Sequence, residues 1–173
     1  STRLFIVGTV LPKQKLIHTE WFHADCLADY YQVEALSEEH WDIMKNFIQG
    51  YVKRGGTMIL VPLFTPPLDT GVGMERTTMQ LAEVKVHRDE AQNITYEFGF
   101  DKVKRFIDLC KSAGLEYFEM SHLFSQWGAK YAPKVVADVD GKKEKIFGWH
   151  TLAVGEYTKF LHAFLPELTA KLR

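Results

Sequence analysis

The stretch TMILVPLF, residues 57–64, is a continuous run of apolar side chains with the length of a single β-strand. Such an uninterrupted run is typical of a strand that is covered on both faces, as the strands of parallel sheets are. The residues before it predict a helix over about 38–54, with Ser37 as the N-cap and Gly55-Gly56 at its end. The apolar residues of this helix recur at helical spacing and share one face: Trp41, Met44, Ile48, Tyr51 and Val52.

Strands and helices alternate along the rest of the chain. Residues 3–12 predict a short strand. Residues 15–26 predict a second extended segment, whose last residues are polar and aromatic. A helix over 102–113, capped by Asp101 and ended by Gly114, leads into a strand near 115–120. Alternating βα units with apolar strands predict a parallel sheet.

Two β-hairpins are predicted as insertions between these units. Alternating segments flank the turn HRDEAQ, residues 87–92, and Asp140-Gly141 is a strong two-residue hairpin signal. A last helix spans about 155–172, and Pro166 is expected to kink or restart it. Its buried stripe is predicted to contain Tyr157, Phe160, Leu161, Phe164, Leu168 and Leu172.

The loops that follow the strands are long and chemically rich, whereas the turns after the helices are short. This asymmetry is typical of the C-terminal face of a TIM barrel, which needs eight βα units and about 250 residues. The chain has about three βα units with inserted β-hairpins. The fold class is therefore α/β, either a small open sheet or a partial (β/α)8 TIM-type barrel. In either case the strands near 16–22, 57–63 and 115–120 are expected to be parallel neighbours.

Composition limits the classes of partner. The 173 residues suit one domain or part of a larger one, and 46% hydrophobic content allows a real core. A net charge of −1 argues against nucleic acid, and no apolar stretch reaches the roughly 20 residues of a membrane span. Two cysteines, Cys26 and Cys110, form no CxxC motif and favour a reducing compartment such as the cytoplasm.

The three long loops after strands combine aromatic, acidic, imidazole and amide side chains within few residues. Indole faces flanked by such polar groups suit a sugar, whose ring has an apolar face and a hydroxyl rim, and the chain is 13% aromatic. The segment 114–133 is the richest of the three and is interpreted as one wall of a carbohydrate cleft. The candidates for sugar contact are His18, Trp21, His23, Asp25, Asp69, Glu75, Arg76, Glu119, His122, Gln126, Trp127 and Trp149.

Simpler interpretations of the same residues stay open. The histidines of the first loop can bond locally while Trp21 packs in the core, and residues 65–76 can be a solvated surface loop. A metal site is disfavoured because His18 and His23 are five positions apart, on opposite sides of an ideal strand. The sequence GVG at 71–73 lacks a third glycine, so no dinucleotide site is expected. We therefore predict neither a metal nor a cofactor.

Four motifs are specific enough to indicate a family. They are HTEWFHADCLADYY (18–31), FTPPLDTGVGMERTTMQL (64–81), FEMSHLFSQWGAKYAPK (118–134) and FGW (147–149). Over about 11–173 the chain resembles the bacterial domain of unknown function related to glycoside hydrolase family 123. The resemblance implies a (β/α)8 barrel like that of β-N-acetylgalactosaminidases. Residues 1–12 would then be the tail of a preceding β-sandwich or a linker, and residues 13–173 the N-terminal portion of the barrel.

The resemblance also implies a mechanism. The substrate's own 2-acetamido group attacks the anomeric carbon, an aspartate stabilises the resulting oxazolinium, and the adjacent glutamate is the general acid/base. That pair lies after the fourth barrel strand in a motif like SDEP, which is expected beyond Arg173. The one Asp-Glu dipeptide of the chain, Asp89-Glu90, falls in a polar turn and is not given this role. No catalytic residue is assigned within the chain, although Glu119 is the best internal substitute.

The leading hypothesis is the substrate-binding portion of a glycoside hydrolase. Its full-length parent would act on N-acetylhexosamine-containing glycans by substrate-assisted retaining hydrolysis, and the chain alone would be inactive. The alternative is a non-catalytic carbohydrate-binding or structural α/β domain. The expected partner is a glycan, with no nucleic acid and no membrane, and open sheet edges predict a homo-oligomer.

Overall fold

The structure is a computed structural model that describes residues 2–10, 12, 15–91, 93–126 and 128–173. Two sheets and four helices form a mixed α/β fold. In chain order the elements are β1 (Thr19–Glu20), α1 (Ala24–Tyr31), α2 (Glu38–Lys53), β2 (Met58–Pro62), β3 (Glu83–Arg88), β4 (Ile94–Gly99), α3 (Asp101–Ala113), β5 (Tyr117–Ser121), β6 (Val135–Val139), β7 (Lys142–Phe147) and α4 (Glu156–Lys171).

The first sheet has the order β1-β2-β5, and both of its pairings are parallel. This confirms the prediction that the three segments are parallel neighbours. The apolar run at 57–64 supplies the central strand, whose residues 59–62 are all buried. Because the strands are parallel, the segments that follow Glu20, Pro62 and Ser121 leave the sheet at the same edge.

The two faces of this sheet have different neighbours. Ile59 and Val61 of β2 belong to the main core together with Met44 of α2 and Phe106 of α3. Side chains alternate along a strand, so Leu60 and its register partner Glu119 point to the opposite face, away from these helices. The sheet therefore carries a half-buried carboxylate on the face that α2 and α3 do not cover.

The second sheet is built from the two predicted hairpins, which are both confirmed. The strands β3 and β4 are antiparallel, as are β6 and β7, and a parallel β3–β6 pairing joins them in the order β4-β3-β6-β7. Asp140 and Gly141 form the second turn with φ values of 53° and 82°. A two-residue hairpin turn with two positive φ values is the geometry that favours Asp-Gly.

Helix α4 covers the second sheet and connects it with the first. Phe164 lies 4.9 Å from Phe64 and 5.1 Å from Phe98, measured between ring centroids. Phe64 lies two residues after the end of β2, so this aromatic cluster joins the end of the first sheet to the second sheet and α4. The helix continues through Pro166, so it does not restart there. Pro166 removes a single backbone donor, the one directed at His162, and both residues are exposed, so water can satisfy that carbonyl.

Other local predictions need correction. The extended segment predicted over 15–26 contains only the two residues of β1 and then turns into helix α1, whose Ala24 and Ala28 are buried. Within the described residues 2–10 no strand forms, and their apolar side chains are exposed because no partner strand lies beside them. Asp101 is the first residue of α3 rather than its N-cap, and Phe100 precedes it without a capping side-chain bond.

The helix ends agree better with the sequence. Ser37 accepts a hydrogen bond from the backbone N–H of His40 at 3.2 Å, which confirms it as the N-cap of α2. Gly114 ends α3 with φ 108°, as predicted. The described helices include none with the length and apolarity needed to cross a membrane.

Candidate functional site

Four of the predicted site residues lie together where the parallel strands of the first sheet end. Trp21 and His23 follow β1, Asp69 lies in the loop after β2, and His122 follows β5 directly. The rings of Trp21 and His122 meet edge to face with centroids 5.8 Å apart. The distance between His23 Nε2 and Asp69 Oδ2 is 3.9 Å. We call these four residues the edge cluster.

The pKa values of both imidazoles of the edge cluster are lowered, which favours the neutral form of each ring. Burial lowers the pKa of His23 from 6.5, and the nearby charge of Arg76 lowers it further, against the opposing carboxylates of Asp25 and Asp69. Burial, with the neighbouring His23, also lowers the pKa of His122. A neutral imidazole has one donor and one acceptor nitrogen, so each ring can bond a hydroxyl in either direction. The Nδ1 atom of His122 is buried and has no hydrogen-bond partner among the described residues.

Asp25 and Arg76, two further predicted site residues, form a buried ion pair below the edge cluster. Arg76 donates to Asp25 through Nε at 2.6 Å and through Nη2 at 3.2 Å. Its third nitrogen, Nη1, donates to the backbone carbonyl of Leu68 at 2.7 Å. Asp25 is only 1% exposed. The pair therefore fastens the first turn of α1 to the loop that follows β2.

Three more predicted residues bond the same loop. Gln126 donates from Nε2 to the carbonyl of Thr70 at 3.3 Å, and Trp149 donates from Nε1 to the carbonyl of Met74 at 3.0 Å. Glu75 forms salt bridges with two lysines. Its Oε2 atom lies 3.4 Å from Lys134 Nζ, and its Oε1 atom contacts Lys145 Nζ. The loop is thus held from several elements, and the interpretation of 65–76 as a freely solvated loop is wrong for its buried residues Thr65 and Thr70.

The remaining predicted residues do not join the edge cluster. His18 lies at the amino end of β1, where its backbone N–H donates to Thr57 Oγ1 at 2.8 Å and its ring bonds Glu20. Glu119 is the central residue of β5 rather than a residue at the strand's end, and it pairs with Leu60. Trp127 lies outside the described residues, so its predicted role stays a prediction.

Three side chains of types that can bind a metal ion lie close together at the start of α1. The ligand atoms of His23, Asp25 and Cys26 lie within 4.8 Å of one another. Arg76, however, donates to Asp25 and also to Cys26 Sγ at 2.9 Å. A cation bound there would have to displace the guanidinium from its carboxylate, and the arrangement therefore suits the ion pair better than a metal.

Sequence reasoning did not identify the supporting bonds of the loop. Lys134 donates to the carbonyl of Arg76 at 3.0 Å, and Thr77 donates to Asp29 at 2.7 Å. The partners in these pairs are distant in sequence, so no local pattern shows them. One local signal was present, because Asp25 in the first turn of a helix with small residues at Ala24 and Ala28 indicates a helix start.

Comparison with known proteins agrees with this architecture. The family model described as "Glycoside hydrolase 123, catalytic domain" matches residues 21–173. Among solved structures, a family 123 glycoside hydrolase from Clostridium perfringens, studied for glycolipid glycan hydrolysis, is similar with a TM-score of 0.55 and 17% sequence identity. The similarity covers 88% of this chain and 27% of that chain, so this chain spans about a quarter of the solved protein.

No curated protein matches the chain. At 17% identity the solved structure supports the fold alone. The family model, in contrast, extends over most of the sequence: it begins directly after β1, at Trp21, and includes α1 to α4. The chain therefore belongs to glycoside hydrolase family 123, as part of its catalytic domain.

Proposed function

We propose that this chain is the substrate-binding portion of a glycoside hydrolase that acts on N-acetylhexosamine-containing glycans. The observation that carries the proposal is the edge cluster, in which an indole, two neutral imidazoles and a carboxylate converge where three parallel strands end. In α/β sheets, ligands bind outside the carboxyl ends of the strands. Family membership supports a glycan as the ligand.

Each member of the edge cluster has a distinct role in this proposal. Trp21 is 53% exposed and offers an indole face on which the apolar face of a sugar ring can stack. His23 and His122 bond hydroxyl or acetamido groups, and the unpartnered Nδ1 of His122 is the atom that most needs such a bond. Asp69 has a largely exposed carboxylate that can accept from sugar hydroxyls.

The proposed architecture is the first part of a (β/α)8 barrel, with β1, β2 and β5 as its first three strands. Leu60 and Glu119, on the face away from α2 and α3, would then point into the barrel. The catalytic pair of the full-length parent is proposed to follow a later strand. Asp89-Glu90 is unsuited to that role, because both residues are exposed at a hairpin tip, where water screens their charges and Asp89 is bonded to Asn93.

Titration of the isotope-labelled chain with N-acetylgalactosamine tests the proposal. We expect the indole resonance of Trp21 and the ring resonances of His23 and His122 to shift saturably, with glucose as the matched sugar that lacks the acetamido group. Trp21→Ala should weaken binding, whereas Tyr30→Ala, at a more exposed aromatic on α1, should not. Equal shifts with both sugars would support the alternative of a general carbohydrate-binding domain. The absence of any saturable shift would refute the proposal.

A further inference from the structure

We propose that Arg76 is a positioning residue of the edge cluster: its guanidinium fixes the distance between His23 and Asp69 and does not itself contact the glycan. This inference rests on the proposed function. It changes the role of Arg76 and Asp25, which the sequence suggested as sugar contacts, to that of a clamp beneath the sugar-contacting side chains.

Arg76 bonds groups that lie close in sequence to both His23 and Asp69. Arg76 holds the carboxylate of Asp25, two residues after His23, and the carbonyl of Leu68, the residue directly before Asp69. A single planar group thus bonds a residue two positions from His23 and the residue adjacent to Asp69. Because the fork of a guanidinium has fixed geometry, these bonds determine how far the two loops lie from each other.

Every nitrogen of the Arg76 guanidinium already has a protein partner, and four of its five N–H groups donate to these partners. Nε and Nη2 bond Asp25, Nη2 also bonds Cys26, and Nη1 bonds Leu68. The Arg76 side chain is 13% exposed and its partner carboxylate is buried. A sugar hydroxyl that displaced any of these four bonds would disturb a buried ion pair, which is strongly unfavourable.

The bond from Arg76 to Leu68 also restrains the loop that carries Asp69. Asp69 has φ 52°, in the left-handed region that few residues other than glycine adopt, and its side chain is exposed. Among the residues that the structure describes, the side chain of Asp69 makes no hydrogen bond, and it approaches His23 Nε2 to 3.9 Å. The bond from Arg76 to the adjacent carbonyl of Leu68 is a direct restraint on that backbone.

The charge of Arg76 supplies a readout that is separate from sugar affinity. The charged or titratable groups that act on or face His23 are Asp25, Arg76, Asp69 and His122, and Arg76 is the cation that lowers the pKa of His23. Removing this charge while both carboxylates remain should raise the pKa of His23. Replacing arginine by lysine should keep the charge but lose the simultaneous bonds to Asp25 and Leu68.

The experiment compares Arg76→Lys and Arg76→Gln in the 173-residue chain. Arg105→Lys and Arg105→Gln are the matched controls, because Arg105 makes a similar two-bond pair with Glu38 at 2.7 and 2.6 Å on an exposed surface far from Asp69 in the chain. Nuclear magnetic resonance gives the pKa of the His23 ring, cross-relaxation between that ring and the Leu68-Asp69 segment, and the dissociation constant for N-acetylgalactosamine.

We expect Arg76→Lys to leave the pKa of His23 near its original value, to weaken the cross-relaxation, and to weaken sugar binding by roughly tenfold. Arg76→Gln should also raise the pKa of His23, and both Arg105 variants should change none of the three quantities. If Arg76→Lys preserves both the affinity for N-acetylgalactosamine and the cross-relaxation, the inference is wrong. It is also wrong if the Arg76→Lys chain loses affinity with unchanged cross-relaxation, since that pattern indicates direct contact with the sugar.

Failure of the proposed function has a different signature. If the unmodified chain binds no sugar, the glycan assignment fails, but the cross-relaxation and the pKa of His23 still decide the role of Arg76. Arg76→Lys is the variant that keeps the buried positive charge opposite Asp25, so it gives a result even if Arg76→Gln does not fold.

Discussion

Trp21 and His122 lie after the two outer strands of the parallel sheet and meet with ring centroids 5.8 Å apart. The contact passes over the end of the central strand β2, whose following loop brings Asp69 to His23. Side chains from three separate segments can therefore contact one ligand. Beneath them, Arg76 donates to Asp25. Without this pairing, both side chains could have contacted the same ligand. The site thus has an exposed contacting layer and a buried supporting layer.

The supporting layer should matter for stability. Asp25→Ala leaves the charge of Arg76 buried without its carboxylate, and breaking a buried pair in this way costs about 3–5 kcal/mol. Glu38→Ala removes the exposed partner of Arg105 and should change the free energy of unfolding little. Urea denaturation of both variants checks this difference. Equal small losses would mean that the Asp25–Arg76 pair is no better shielded from water than the surface pair.

The aromatic junction between the sheets gives a second stability prediction. Phe64 is fully buried against Phe160 and Phe164, so Phe64→Ala should cost about 3–5 kcal/mol through lost contacts and a residual cavity. Phe124 is exposed and has its edge on Tyr157, so Phe124→Ala should cost much less. Thermal unfolding of the two variants would show whether the junction contributes as the packing indicates.

The neutral imidazoles predict how stability depends on pH. The folded pKa of His122 is below the unfolded value of 6.5, so between these values the unfolded chain binds more protons than the folded one. Stability contributed by the neutral ring should be present above pH 6.5 and decrease as the pH falls through this window. Unfolding free energies at pH 7.5 and 5.5 should differ less for His122→Gln than for the unmodified chain. The variant His162→Gln, on the exposed side of α4, should retain the full difference.

Local signals in the sequence were enough to predict most elements of the fold. Ser37, Gly114 and Asp140-Gly141 act on their immediate neighbours, and each gave the expected helix end or turn. The pairing of β3 with β6 was not predictable in this way, because it joins two hairpins that are each complete without it. Helix α1 was missed because its eight residues follow an extended segment whose aromatic side chains suggested that the strand continued.

The candidate site was predicted by residue type but not by role. His18 and His23 look equivalent in the sequence, yet the two residues of β1 separate them, and only His23 reaches the edge cluster. Arg76 and Asp25 are 51 positions apart, so nothing near either residue indicated that they bond each other. Polar residues after strands therefore predicted the position of the edge cluster, whereas tertiary contacts decide which of its neighbours have side chains free of other bonds.

The open edges of the first sheet predict self-association. β1 and β5 are its outer strands, and each has one edge without a partner strand among the described residues. One outer strand of the second sheet, β7, is better protected, since it is rich in lysine at 142, 143 and 145. We expect a dimer or higher oligomer by light scattering at micromolar concentration, with the mass falling on dilution. A constant monomer mass would contradict this.

The chain alone should not hydrolyse glycosides. Substrate-assisted cleavage needs a proton donor at the glycosidic oxygen and a second carboxylate at the acetamido nitrogen, and general acid–base help is worth about 10²–10⁴-fold. Glu119 is a candidate for one of these groups, because it lies half-buried on the face of the sheet away from α2 and α3. Asp69 is too exposed to be the partner that stabilises an oxazolinium, since water screens its charge.

An assay on a chromogenic N-acetylgalactosaminide tests this directly, with Glu119→Gln as the informative variant and Glu144→Gln, on the exposed strand β7, as its control. We expect all three chains to be indistinguishable from buffer. Turnover by the unmodified chain that survives in Glu144→Gln and disappears in Glu119→Gln would show that the acid is already present on β5. In that case the face of the sheet that carries Leu60 and Glu119 would contain catalytic machinery, and the proposal that a later strand supplies the catalytic pair would be wrong.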